Sequence, residues 1–202
     1  MANKNTKLRE VLLNNVEYLI DHVFQKRVNA VDEQITKLKS VLDNLDGQMK
    51  TITTEYREQI FDPNTLDIKA VSGDDKDIMK YTEDFKSLQD KKRPIDNEFK
   101  KLLEQKGILE TPLHLLQSLH KAKKSVQDKQ MAITGTETYI SMNGRFENVD
   151  EEEKNLDTYN AELKVLETKL EQEIINCLDN TNIKNALEQL IHLLQNTRSR
   201  RD

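Results

Sequence analysis

The sequence predicts an all-α protein: an elongated antiparallel helical bundle or coiled coil of long helices, with a small helical cap near the termini. Three observations carry this expectation. Five glycines and three prolines in 202 residues leave little turn chemistry. Charged residues make up 33% and aromatics 5%, a balance suited to long helices with narrow apolar seams rather than to a sandwich or a doubly wound sheet. From Val28 onward, apolar residues recur at alternating spacings of 3 and 4.

The first helix is expected over 6–60. Its opening part carries Leu8, Leu12, Val16, Leu19 and Val23, widened by Val11, Leu13, Ile20 and Phe24 into a face broad enough for more than one neighbour. Its second part holds the seam Val28, Val31, Ile35, Leu38, Leu42, Leu45, Met49, Ile52 and Tyr56. Between Val23 and Val28 the phase slips by about one residue, as a stutter produces.

Pro63 and Gly73 then bracket a connecting loop, 61–76. The next seam is Ile78, Tyr81, Phe85, Leu88, Ile95, Phe99 and Leu102, with Lys92 at its polar position and Pro94 inside the register. Gly107 reads as a C-cap, and Thr111 followed by Pro112 as the start of another helix. That helix carries Leu115, Leu119, Ala122, Val126, Ile133 and Ile140, with weak seam positions near Lys129 and Thr136, and ends at Asn143-Gly144.

The fourth seam is Val149, Leu156, Tyr159, Leu163, Leu166, Leu170, Ile174 and Cys177. Asp150 to Glu153 lie in its first turns, where negative charge suits the helix dipole. A break at 179–182 precedes a short last helix. The expected organisation is one elongated unit, 1–202: a terminal cap from 6–27 and 181–197, and arm helices 28–60, 77–106, 112–142 and 146–178 running up, down, up and down.

The net charge of −5 is modest, but it is unevenly spread. Residues 111–145 hold five basic and two acidic side chains, whereas 146–180 hold three and eleven, so these helices are expected to face each other. The single cysteine excludes an internal disulfide. No apolar run approaches the roughly 20 residues that cross a bilayer, and the N-terminus lacks a signal-like apolar core. The expected location is intracellular and cytoplasmic, with no membrane partner.

Candidate chemistry is sparse. His114 and His120 stand too far around the helix to share a ligand, and no Cys pair or acidic triplet accompanies them. Glu151, Glu152 and Glu153 fan around a helix, and Cys177 lies on a seam as a small hydrophobe. No enzyme activity, cofactor or metal is expected. The nine-residue stretch LETPLHLLQ (109–117) echoes LEQLIHLLQ (187–195), each followed by a basic cluster. The likeness stops at those nine positions, so it reads as a packing signature at one end of the bundle, beside the N-terminal helix, rather than as a duplicated domain.

The leading functional expectation is a non-enzymatic interaction or scaffold subunit that bridges or regulates protein partners in a larger assembly. Its partner-binding residues are expected on the seam Val28, Val31, Ile35, Leu38, Leu42, Leu45, Met49 and Ile52, because narrow seams are completed by another helix. The first alternative is an accessory subunit of a DNA-acting complex, touching nucleic acid through Lys121, Lys123, Lys124, Arg198, Arg200 and Arg201. The second is a self-assembling homo-oligomer.

Overall fold

The computed structural model describes residues 2–60, 75–144 and 149–198, with side chains described over 5–57, 80–144 and 149–196. Among the described residues the protein is an all-α helical bundle with no strand. Its elements are α1 (Ala2–Tyr18), a π-helical turn (Leu19–Phe24), α2 (Gln25–Ile60), α3 (Asp75–Asn143), α4 (Asp150–Asp179) and α5 (Thr181–Arg198).

The phase slip before Val28 has a structural cause. In the π-helical turn the N–H of Gln25 reaches back to the carbonyl of Ile20, five residues earlier. A π turn accommodates one extra residue, which rotates everything after it by about 100° around the axis. The broad face of α1 and the narrow seam of α2 are thereby reconciled in one run of chain. A second irregularity precedes it at Asn15, whose backbone (φ −128°, ψ 18°) leaves helical geometry. Its side-chain amide donates to the Val11 carbonyl at 2.8 Å.

The chain divides into two compact units, Val28–Gly107 and Met1–Arg27 with Ile108–Asp202, where the sequence had suggested one elongated unit. Within the first, α2 and α3 are antiparallel. Asp32 pairs with Lys106 at 2.7 Å, Asp46 with Lys92, and Tyr56 stacks on Tyr81 with ring centroids 4.1 Å apart, so an advance along one helix is a retreat along the other. In this register the two seams meet level by level, Ile35 with Leu102, Leu42 with Ile95 and Met49 with Leu88. Val28, Val31, Leu42, Leu45, Leu88 and Leu102 are buried.

The second unit has a broader core. Leu8, Leu12, Val16, Leu19 and Phe24 are buried together with Leu113, Leu116, Leu119, Ile174, Cys177, Ile183 and Leu187. Helix α1 packs on α4 and α5, and α5 on α4. Burying a leucine or isoleucine contributes about 1.5–3 kcal/mol each, so this end is the apolar centre of the unit. From it α3 and α4 continue as an antiparallel pair, held where Lys129 bridges Glu162 at 2.5 Å and lies 4.4 Å over the Tyr159 ring. The basic and acidic segments do face each other there.

Two expected boundaries are corrected. Helix α3 runs without a break through Gly107, Thr111 and Pro112, where a helix end and a new start were expected. An interior proline costs about 3 kcal/mol. Pro112 is fully buried, and Leu113, Leu116 and Leu119 directly after it are buried too, which offsets that cost. A Cβ at Gly107 would meet nothing within 4 Å, so no close approach requires glycine there.

Gly144 differs: its N–H donates to the Ile140 carbonyl at 2.8 Å, and a Cβ would lie 2.7 Å from that same oxygen. The expected break at 179–182 narrows to Asn180, whose side-chain oxygen accepts the N–H groups of Asn182 and Ile183 at 3.0 and 3.1 Å and so caps α5. The expected loop 61–76 lies outside the described residues except for its last two, which are helical.

Candidate partner-binding surfaces

The seam expected to bind a partner is turned toward its own chain. Val28, Val31, Leu42 and Leu45 are buried and Ile35, Leu38, Met49 and Ile52 half-buried, in the register set by α3. Heptad spacing specifies a facing helix but not its source, and here the source is residues 75–107.

Of the basic residues expected to touch nucleic acid, Lys121 and Lys124 are exposed. Lys123 is half-buried and donates to the Leu13 carbonyl at 2.7 Å, so it ties α3 to α1. Arg200 and Arg201 lie outside the described residues, as does the side chain of Arg198. Glu17 stands 3.6 Å from His120, and Glu17 and Asp128 line the same groove as Lys123 and Lys124, which makes its electrostatics mixed rather than basic.

The echoed histidines are both exposed, and the two copies have different surroundings. Leu116 in the first is 0% exposed, whereas Leu194 in the second is 45% exposed. Both lie near α1 as expected. His192 lines a hollow with Leu8, and the turn after the first copy reaches α1 through His120 and Lys123. The packing signature is therefore borne by Leu116 in a core, whereas Leu194 lies near the end of α5 and lines a hollow shared with α1.

Cys177 is fully buried. Burial, and then the negative charge of Glu173, push its thiol up to about 12. At neutral pH it is a neutral hydrophobe, the role its seam position implies. Arg9 meets Glu171 with both guanidinium nitrogens, one at 2.7 Å, and this hydrogen bonding raises the Arg9 pKa further. Among the described residues no group of three His, Cys, Asp or Glu side chains could hold a metal ion. Among the same residues no helix is long and apolar enough to cross a membrane.

One surface went unnoticed in the sequence. An open groove of about 750 Å³ runs along α3 beside the end of α1, lined by His120, Lys123, Lys124, Gln127, Asp128, Gln130, Met131 and Thr134 with Glu17. Past it, α3 becomes poor in charge. Residues 130–143, QMAITGTETYISMN, contain one ionised side chain, Glu137, in a chain that is 33% charged. Met131 is 66% exposed, Met142 69% and Tyr139 42%. The signal available in the sequence was this gap in charge, which is separate from the heptad pattern and invisible to it.

A smaller hollow of about 330 Å³ lies between α1 and α5, with Val11, Ile191 and Leu194 among Lys7, Glu10, Asn14, Asn15 and Gln195.

These features define a class: an all-α protein of two helical units, one a simple antiparallel pair and the other a pair enlarged by both chain ends. No protein-family model, curated protein or solved structure matches the chain.

Proposed function

We propose that this protein is a non-enzymatic interaction subunit, which bridges or regulates other chains within an assembly through the outer face of its α3–α4 pair. The observation that carries the reading is the charge-poor, exposed stretch 130–143 with its adjoining groove. Isolated helix surfaces in water are normally covered by charge. Surfaces meant to be covered by protein are depleted in Lys, Glu and Asp and enriched in Met and Tyr. Here two of the five methionines and a tyrosine are exposed within twelve residues.

The test is affinity purification of the full chain from its native cell, comparing wild type with Met131→Glu. The reading expects at least one retained chain, this protein itself included, to be lost from the variant while the helical circular dichroism is unchanged. Identical retention by wild type and variant refutes it.

A further inference from the structure

We infer that the outer face of α4 docks on the same face of a second copy of the chain, antiparallel about a two-fold axis midway between Val165 and Thr168. This contact uses none of residues 130–143, so it goes beyond the interaction reading above and stands or falls separately from it. What names the second copy is the order of charge along this one helix.

On the side of α4 turned away from its seam, Thr158, Ala161, Val165, Thr168, Gln172 and Ile175 recur at alternating spacings of 3 and 4, with Lys154 before them and Asp179 after them in the same register. All eight are exposed, Val165 at 70% and Ile175 at 49%. The seven charged residues between Lys154 and Asp179 lie off this stripe. The helix thus carries a second heptad face, uncharged along its middle and oppositely charged at its ends. Turning a second copy end over end about the Val165–Thr168 midpoint sets Val165 against Thr168 of the other copy, Ala161 against Gln172, Thr158 against Ile175 and Lys154 against Asp179. Along the two edges of the stripe, Glu162 then faces Lys169, and Lys164 faces Glu171. Each pairing occurs twice, as an isologous contact requires. Glu162 and Glu171 already hold Lys129 and Arg9 within the chain, and about half of each side chain stays in water to accept a second cation.

Other alignments of the two stripes lose this match. Sliding one copy by a heptad sets Glu162 against Glu162 and Lys164 against Lys164; sliding it the other way sets Lys169 against Lys169 and Glu171 against Glu171. A parallel pair sets Lys164 beside Lys169 and Asp157 beside Glu162. Charges flanking a heptad face select orientation and register in this manner, by repulsion in the wrong pairings as much as by attraction in the right one. From Lys154 to Asp179 the stripe is about 38 Å long and one helix wide, which gives an area near the lower limit for a specific interface. The dimer is therefore weak and salt-dependent, since its ion pairs lie at the rim.

Sedimentation equilibrium of the full-length chain, from micromolar to several hundred micromolar and at low and high salt, tests this. Expected is a monomer–dimer equilibrium whose Kd rises at least tenfold in high salt, at least tenfold in Lys154→Glu or Asp179→Lys alone, and beyond detection in Val165→Glu. The double variant K154E/D179K should return Kd to within about threefold of wild type, because attraction is restored with its sign reversed. Both substitutions place charge of the sign that the nearer helix end favours, and Val165 is largely in water, so helical circular dichroism should be unchanged in every variant. In oxidising conditions Ala161→Cys should crosslink in a mixture with Gln172→Cys and not to itself. A strict monomer at every concentration overturns the inference, and so does a dimer indifferent to Val165→Glu, one that the double charge reversal fails to recover, or Ala161→Cys crosslinking to itself. If the chain is monomeric yet Met131→Glu loses a different protein in the affinity experiment, the second-copy inference falls and the interaction reading stands.

Discussion

The two antiparallel helix pairs use one design and differ in what they leave outside. Each stacks two heptad seams in register, and each sets one lysine among the apolar levels. In the first pair that residue is Lys92, bonded to Asp46, which raises its pKa; in the second it is Lys129, bridged to Glu162 and seated over Tyr159. A lysine at a seam position favours one register, because only that register supplies its carboxylate. The outer surfaces diverge. Residues 80–107 carry a charge at nearly every second position, whereas 130–143 carry one. Equal seams with unequal exteriors separate two jobs that heptad spacing confuses, holding the hairpin together and meeting something else.

The second unit also has a true core, and the largest expected effect tests that contrast. Leu116→Asp places an unpaired carboxylate where the side chain is fully buried. It should cost about 4 kcal/mol or more and unfold the end of the unit built from α1, α4 and α5. Hydrogen exchange read by mass spectrometry should then show protection lost over 108–198 and retained over 28–57. Loss of protection in both ranges together would show that the units are not independently stable. The matched change Leu194→Asp, at the corresponding position of the echoed motif, should shift the melting temperature little, since that leucine is already 45% exposed.

Intermediate effects lie at the junctions. Cys177→Ser should destabilise the unit by about 1–2 kcal/mol, since a hydroxyl replaces a buried thiol among apolar neighbours. Burial also sets a pH dependence. The thiol ionises near 9.0 when exposed and near 12 in the folded chain, so above about pH 9 the unfolded state releases a proton that the folded state keeps, and stability falls between those values. A thiol reagent at pH 8 should react with native protein only after opening. Rapid reaction with the folded chain would contradict the burial. Asn180→Ala removes the cap of α5 and should cost about 1 kcal/mol by chemical denaturation.

The smallest effects distinguish the seam lysines and the surface pair. Lys129→Ala should cost about 1 kcal/mol, since it loses both a carboxylate partner and an aromatic face. Lys92→Ala should have the lesser effect, because both carboxylates are about half in water and Lys129 also lies over a ring. Arg9→Ala should move the melting point barely, about 0.5 kcal/mol at most, because Arg9 and Glu171 are both largely solvated. A larger loss from Lys92→Ala than from Lys129→Ala would reverse the ranking of the two pairs.

Much of the fold was legible in the amino acids. The α2 seam, the stutter before Val28, the acidic first turns of α4 and the stop at Gly144 are local matters of spacing, dipole and steric fit, and each was found where its residues placed it. The helix boundary expected at Gly107–Pro112 was not. Local signals of a break compete there with the burial of Leu113, Leu116 and Leu119, and burial is decided by distant chain. The candidate site was less legible still. The expected seam is occupied from within, Lys123 is committed to a carbonyl of α1, and the face left exposed is marked by missing charge rather than by any motif.

The sequence by itself determined helix, phase and the uneven spread of charge along 111–180, because periodicity and ionisation are properties of neighbours along the chain. Which seam met which, where one helix absorbed two expected ones, and which face of α3 stayed in water were decided by tertiary structure alone. Heptads are satisfied by any helix of matching register, and only packing selects the partner and leaves the remainder exposed.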